Sequence, residues 1–196
     1  MVLLAPLSAV GKPAIAASHK TQINYSASTQ FRPEGASQGH PPQPMQIALY
    51  EPDIAQNTGT ILRLCACLGV PAHIIEPAGF PVSDRTFRRA GMDYLDQVTL
   101  TRHVSWVAFE QWRRSEKRDL VLFTTGAATS YLDHRYHAGS VLLFGRESAG
   151  VPETVHGAAD ARLTIPMRPG LRSLNVAMAC AMVVGEALRQ RRDTTN

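Results

Sequence analysis

Residues 140–190 read SVLLFGRESAGVPETVHGAADARLTIPMRPGLRSLNVAMACAMVVGEALRQ, and they carry the clearest signals of strands, loops and a helix in the chain. Two short apolar segments, Ser140–Phe144 and Arg162–Ile165, each predict a strand that runs into a loop rich in glycine or proline. Apolar residues then recur at helical spacing, which predicts a helix over Val176–Gln190. Ligands of open α/β sheets bind beyond the carboxyl ends of the strands. The two loops are therefore predicted to frame one site.

Upstream of this stretch, segments of strand and helix character alternate. The predicted strands are Gln46–Tyr50, Ala72–Glu76, Tyr94–Leu100 and Leu120–Thr124, and the predicted helices are Asn57–Leu68, Ser83–Ala90 and Val104–Arg114. Strands that are apolar throughout are typical of sheets covered on both faces. The alternation therefore predicts an α/β fold, a parallel sheet with helices on both faces.

The chain of 196 residues, with 44% hydrophobic and 18% charged residues, is long enough to bury a core. We expect residues 45–196 to form the folded domain. Residues 1–44 are rich in Ala, Ser, Gln, Pro and Gly and show no periodicity, which predicts a disordered N-terminal extension. A targeting peptide is a weaker alternative, because no basic residue precedes the apolar start and Arg32 is the only arginine there.

Charge and cysteine usage narrow the class of protein. A net charge of +4 and a pI of about 9.2 suit a nucleic-acid partner, although RNA affinity must come from clustered charges rather than bulk charge. Cys65, Cys67 and Cys180 lie on apolar helix patterns and are expected to be reduced core thiols of a cytoplasmic protein. Neither they nor the histidines have metal-ligand spacing, so no metal is expected. No apolar run approaches the ~20 residues of a membrane span.

Three ordered motifs resemble those of the SPOUT RNA methyltransferases. They are Asn57-x-Gly59-x-x-x-Arg63, then Phe144-Gly145-x-Glu147-x-x-Gly150-x-Pro152, and then Ile165-Pro166-Met167 followed by Arg172-Ser173-Leu174-Asn175-Val176. The stretches LYEPDIAQNTGTILRLCACLG and HIIEPAGF are similar to those of the small tRNA (cytidine/uridine-2′-O)-methyltransferases of the TrmL type. The resemblance extends from residue 45 to about residue 190.

The resemblance implies a fold, an activity and an assembly. The fold is the SPOUT α/β knot, in which the C-terminal segment threads through a loop to form a deep trefoil knot. The activity is methyl transfer from S-adenosyl-L-methionine to the ribose 2′-oxygen of the wobble cytidine or uridine, position 34 of tRNA. The assembly is a homodimer whose active site borrows residues across the interface. Methyl transfer of this kind is mainly a problem of positioning the reactants.

The resemblance also implies roles for individual residues. The cofactor is expected to contact Phe123, Gly145, Ile165 and Ser173, with Met167 and Leu174 as neighbours, and the catalytic set is Asn57, Arg63, Glu147, Ser173 and Asn175. In the family, the arginine matching Arg63 is placed at the 2′-hydroxyl and has been proposed as a base. Because a guanidinium stays protonated, holding a phosphate or stabilising the developing alkoxide is the role we expect.

The remaining polar motif positions are expected to organise the site. Glu147 is predicted to orient Arg63 or the motif loops through a salt bridge. Ser173 and Asn175 stand at the start of the last helix, where N-capping alone explains one of them. Arginines near the motif loops are predicted to hold RNA phosphates, although each singly is as well explained as a solvated charge. They are Arg85, Arg88, Arg89, Arg168 and Arg172.

Other functions remain as alternatives at this stage. One is 2′-O-methylation at a different tRNA or rRNA site, because Thr60, Gly126 and residues 176–179 depart from the family pattern. A second is a non-catalytic RNA-binding module with the same fold. A dinucleotide-binding protein is disfavoured, since no Gly-x-Gly-x-x-Gly follows the first strand. A serine hydrolase is rejected, because Arg146 stands where the nucleophile elbow before Ser148 needs glycine.

Overall fold

A computed structural model describes residues 43–83, 87 and 97–193, and within them seven strands form one sheet. The strands are β1 Gln46–Tyr50, β2 Ala72–Ile75, β3 Leu100–His103, β4 Leu120–Phe123, β5 Thr129–Ser130, β6 Val141–Phe144 and β7 Ala161–Thr164. The described helices are α1 Ala55–Leu68, α2 Trp106–Ser115, α3 Glu153–Ala158 and α4 Val176–Asp193. The strand order is β3-β2-β1-β6-β4-β7-β5, and every neighbouring pair is parallel.

The sheet is buried on both faces, as its apolar strands predict. Ile47 and Leu49 pack into one core, whereas Ala48 and Tyr50 pack into the other, because successive side chains of a strand point to opposite faces. Helices α1 and α4 cover the first face, and α2 and α3 cover the second. The predicted α/β architecture with helices on both faces is confirmed.

Several parts of the sequence interpretation need correction or lie outside the described residues. The strand expected over Tyr94–Leu100 instead begins at Leu100 and ends at His103, because exposed Thr101 and Arg102 leave this edge strand without an apolar run. Cys67 is exposed, whereas the other two cysteines are buried. The elements β5 and α3 were not predicted. Most of the Ser83–Ala90 helix and residues 94–96 lie outside the described residues.

A polar pair is buried in the second core. His73 Nδ1 lies 2.9 Å from His103 Nε2, and His73 Nε2 lies 2.6 Å from Gln46 Oε1. The Trp112 ring packs 4.2 Å from the His73 ring, measured between centroids. Burial is the main reason that the pKa of His73 falls to about 3, and the neighbouring His103 lowers it further. The pair is therefore uncharged at neutral pH.

The topology brings the loops of the three sequence motifs to one edge of the sheet. Strand β6 pairs with β1 on one side and β4 on the other, and β4 also pairs with β7. Because these strands are parallel, their carboxyl ends and the loops that follow them share an edge. Among the described helices, none is long and apolar enough to cross a membrane.

Candidate active site

A cleft of about 1260 Å³ opens at this edge, between the loops that follow β4, β6 and β7 and the first turn of α1. All six residues predicted to contact the cofactor line it: Phe123, Gly145, Ile165, Met167, Ser173 and Leu174. Five further predicted residues do so as well: Asn57, Glu147, Arg168, Arg172 and Asn175. The cleft therefore collects most of the residues that the motifs singled out.

One wall of the cleft is apolar. Phe123 and Phe144 are register partners at the ends of β4 and β6, and their rings stack at 4.9 Å with an interplanar angle of 12°. Ile165 and Met167 lie half-buried on the loop after β7. Ligand sites typically combine such an apolar lining with a small number of polar groups.

The loop from Gly145 to Gly150 is closed by its own backbone. Arg146 and Gly150 exchange two N–H···O hydrogen bonds of 2.9 Å each, and Gly150 has a φ of +66°. A Cβ added at Gly145 would lie only 2.7 Å from the Gly150 carbonyl carbon. Both glycines are therefore required, one for its positive φ and the other for the close backbone approach.

Side chains of the loop between β1 and α1 hold the Gly145–Gly150 loop in place. Arg146 donates to Asp53 Oδ1 from Nε at 3.2 Å and from Nη2 at 2.9 Å, and to Glu51 Oε2 from Nη1 at 3.1 Å. Ser148 donates to Asp53 Oδ2 from its backbone N–H at 3.1 Å and also from its hydroxyl. The Ser148 hydroxyl is the main reason that the pKa of Asp53 lies below its usual value, and Arg146 also lowers it.

A second set of hydrogen bonds connects the three motifs. Glu147 accepts from Asn57 Nδ2 at 3.1 Å and from the Asp53 backbone N–H at 2.9 Å. Asn57 Oδ1 accepts from Asn175 Nδ2 at 2.9 Å. Asn175 Oδ1 in turn accepts from the backbone N–H groups of Ala177 at 2.9 Å and Met178 at 3.4 Å, so Asn175 caps α4. One amide–carboxylate chain thus ties α1, the Gly145 loop and the start of α4 together.

The structure refines the expectations for these polar residues. Glu147 holds the motif loops through hydrogen bonds to an amide and a backbone N–H, where a salt bridge was expected. Asn57 lies in the first turn of α1, which begins at Ala55, two residues before the predicted start of the helix. Asn175 both caps and lines the cleft, whereas Ser173 is an exposed residue of the cleft wall.

Arg63 is exposed on α1 and does not line the cleft. It follows Asn57 by six residues, which turns the two side chains about 120° apart and shifts them by about 9 Å along the helix. Arg85, Arg88 and Arg89 lie outside the described residues. The prediction that Asn57 and Arg63 lie on one helix is confirmed, but of the two only Asn57 lines the cleft within a single chain.

Four residues that hold the loop carried no predicted role: Glu51, Asp53, Arg146 and Ser148. The available signal was weak, consisting of two acidic residues directly after the first strand, at the edge where parallel sheets bind ligands. Among the described residues, there is no group of three or more His, Cys, Asp or Glu side chains placed to hold a metal ion.

A parallel sheet with a cleft walled by glycine-rich loops at its carboxyl edge defines a cofactor-binding α/β protein. The particular family is given by the sequence: the chain belongs to the SpoU rRNA Methylase family, whose pattern matches residues 44–185. The match confirms the resemblance on which the SPOUT fold was expected.

Individual relatives agree with this assignment. Over 144 residues the chain is 67% identical to a tRNA (cytidine(34)-2'-O)-methyltransferase of Beijerinckia indica subsp. indica, covering 74% of this chain and 90% of the relative. The chain is also similar to a solved structure described as giving structural insights into the 2-OH methylation of C/U34 on tRNA. That match has a TM-score of 0.72 and 38% identity, and it covers 78% of this chain and 99% of the other. An AdoMet-bound rRNA methyltransferase from Sinorhizobium meliloti matches with a TM-score of 0.68 and 28% identity, over 74% and 56% of the two chains.

Proposed function

We propose that the protein is a tRNA 2′-O-methyltransferase that uses S-adenosyl-L-methionine to methylate the ribose of cytidine or uridine at position 34. The observation that carries this proposal is the chain of hydrogen bonds from Glu147 through Asn57 to Asn175, which joins all three motifs at one cleft. A non-catalytic RNA-binding module has no need of that joined polar set. The relatives named for nucleotide 34 support the same substrate, and this chain covers most of their length.

The cleft fits S-adenosyl-L-methionine. Its volume of about 1260 Å³ exceeds that of an ordinary small-molecule pocket, about 300–1,000 Å³, which leaves room for a nucleotide beside the cofactor. We assign the cofactor to the wall formed by Phe123, Gly145, Ile165 and Ser173, with Met167 and Leu174 beside it. When bound, S-adenosyl-L-methionine would supply an electrophilic methyl group on its sulfonium for transfer to the 2′-oxygen, with S-adenosylhomocysteine as the leaving group and the hydroxyl proton released to water. The protein's own contribution is to hold donor and acceptor in line.

The acceptor side of the site is proposed to be completed by a second copy of the chain. Large apolar side chains are exposed beside the cleft and along α4, with Leu171 66%, Met178 62% and Met182 40% exposed. Met178 and Met182 share one helix face because they are four residues apart. Burying this surface in a homodimer would remove it from water, and we propose that Arg63, which does not line its own cleft, serves the cleft of the partner. There Arg63 holds a phosphate or stabilises the alkoxide.

The tRNA backbone is proposed to meet the mouth of the cleft. Arg168 and Arg172 are exposed residues of the loop after β7 and line that mouth. Arginine binds phosphate strongly because its planar guanidinium offers paired donors. With tRNA as substrate, the enzyme's place of action is the cytoplasm.

The test measures transfer of labelled methyl from S-adenosyl-L-methionine to tRNA that lacks the modification, with the product nucleotide mapped. Wild type is expected to label the ribose of nucleotide 34, and Arg63→Ala is expected to lose at least about 100-fold in rate, since it removes a group that stabilises developing charge. Arg114→Ala is the matched control, because Arg114 is an exposed helix arginine on α2, paired with Glu110. Label on another nucleotide would assign the methylation to a different position of the RNA. Cofactor binding without any RNA methylation would refute the proposal.

A further inference from the structure

Three consecutive residues of the cleft wall, Arg146, Glu147 and Ser148, are all anchored to Asp53. The Asp53 carboxylate accepts from two nitrogens of Arg146 and from the backbone and hydroxyl of Ser148. Its backbone N–H donates to Glu147 Oε2 at 2.9 Å. Asp53 itself does not line the cleft. It therefore contacts the loop from behind, on the side away from any ligand.

The backbone of Asp53 is itself fixed. Gly79 packs so closely that a Cβ there would lie 3.0 Å from both the Cα and the carbonyl oxygen of Asp53. The Gly79 N–H also donates to the Pro52 carbonyl at 2.9 Å. The backbone of Asp53 is thus held at a defined position in the short loop between β1 and α1.

The charges explain why Arg146 serves the protein rather than a ligand. Its guanidinium is paired with Glu51 Oε2 at 3.1 Å and Asp53 Oδ1 at 2.9 Å. The hydrogen bond to Asp53 is the main reason that the pKa of Arg146 is raised. Two carboxylates more than balance one guanidinium, so Arg146 offers no net positive charge to a phosphate. Its side chain instead ties the loop down.

We propose that Asp53 is a positioning residue of the cofactor site, which sets the shape of the Gly145–Gly150 loop and thereby the affinity for S-adenosyl-L-methionine. This inference rests on the proposed cofactor site. A loop that is already held in its binding shape loses little freedom when the ligand arrives, which strengthens binding. Releasing the loop should therefore weaken cofactor binding while leaving the transfer step itself largely intact.

The experiment compares Asp53→Asn with wild type by calorimetric titration of S-adenosyl-L-methionine and by steady-state transfer to tRNA. The amide carries no charge, so the hydrogen bonds that Arg146 donates to it lose their charge assistance, and a loss of this size corresponds to about tenfold in affinity. We expect Kd and KM for the cofactor to rise about tenfold, with kcat at saturating cofactor nearly unchanged. Asp53→Glu, which keeps the charge, is expected to regain most of the affinity.

Two further variants separate loop positioning from a general effect of charge. Arg146→Met should weaken cofactor binding as Asp53→Asn does, and the double variant should add little, because both release the same loop. Asp133→Asn is the matched control, since it removes an exposed carboxylate that does not line the cleft. It should leave Kd unchanged.

The outcomes distinguish this inference from the proposed function. Unchanged cofactor affinity in Asp53→Asn, or additive losses in the double variant, would overturn the positioning role whatever the enzyme methylates. A lower kcat with unchanged KM would also overturn it, because it would assign Asp53 to the transfer step. Wild type that binds the cofactor but methylates no tRNA would refute the proposed function, while calorimetry would still decide the role of Asp53.

Discussion

Gly145→Ala is the substitution whose consequence follows most directly from the geometry of the site. The new Cβ would lie 2.7 Å from the Gly150 carbonyl carbon and 2.9 Å from its Cα and oxygen. Carbon atoms in contact normally stand about 3.5–4.0 Å apart, so the loop must open by roughly 1 Å. The atoms that block the methyl group belong to backbone, which has no rotamer to change.

Opening the loop costs the two hydrogen bonds that Arg146 and Gly150 exchange at 2.9 Å. At about 0.5–1.5 kcal/mol for each bond, the closed form loses about 1–3 kcal/mol relative to the open form. If only the closed form binds cofactor, its reduced population lowers the apparent affinity in proportion. The expected result is binding weaker by about 5- to 140-fold, since each 1.4 kcal/mol is a factor of ten.

Calorimetric titration of S-adenosylhomocysteine into wild type and Gly145→Ala measures this directly. Gly157→Ala is the matched control, because no heavy atom lies within 4 Å of a Cβ placed there and the position is helical. The control should bind normally. Affinity of Gly145→Ala within about twofold of wild type would refute the argument that close approach of Gly145 to Gly150 shapes the site.

Two other predictions concern the buried pair and the cleft mouth. The folded pKa of His73, about 3, lies below its unfolded value of 6.5, so the unfolded chain binds more protons between these values. His73 should therefore leave the free energy of unfolding unaffected above pH 6.5 and lower it as the pH falls further, by about 2 kcal/mol at pH 5. Urea titrations should show that the free energy of unfolding depends less on pH in His73→Gln than in wild type. Replacing Arg168 and Arg172 with Gln should reduce the slope of the logarithm of the tRNA binding constant against the logarithm of the salt concentration by roughly 1.5. An unchanged slope would show that neither arginine contacts a tRNA phosphate.

Much of the fold was predictable because its signals are local. The strand Gln46–Tyr50 has the predicted bounds, and the last helix begins at Val176 as its periodicity indicates. The edge strand Leu100–His103 was misplaced because half of it faces solvent and carries polar residues. An apolar run marks only strands that are buried on both faces.

The site residues that were predictable from the sequence are likewise those with a local role. The motifs identified cleft residues such as Gly145 and Asn175, because glycine at a close backbone approach and asparagine at a helix cap meet local requirements of the chain. Asp53 escaped notice because its partners lie more than 90 residues away along the chain. The direction in which Arg63 points likewise depends on how α1 lies on the sheet.

The family, the α/β architecture and most of the cleft residues were thus predictable from the sequence, since periodicity and motif spacing are local properties of the chain. Only the tertiary structure decided which of these residues meet. The parallel order β1-β6-β4-β7 gathers loops distant in sequence at one edge, where Asp53 meets Arg146 and Asn57 meets Asn175. Contacts of this kind depend on the order of strands across the sheet, and no local pattern of residues encodes that order.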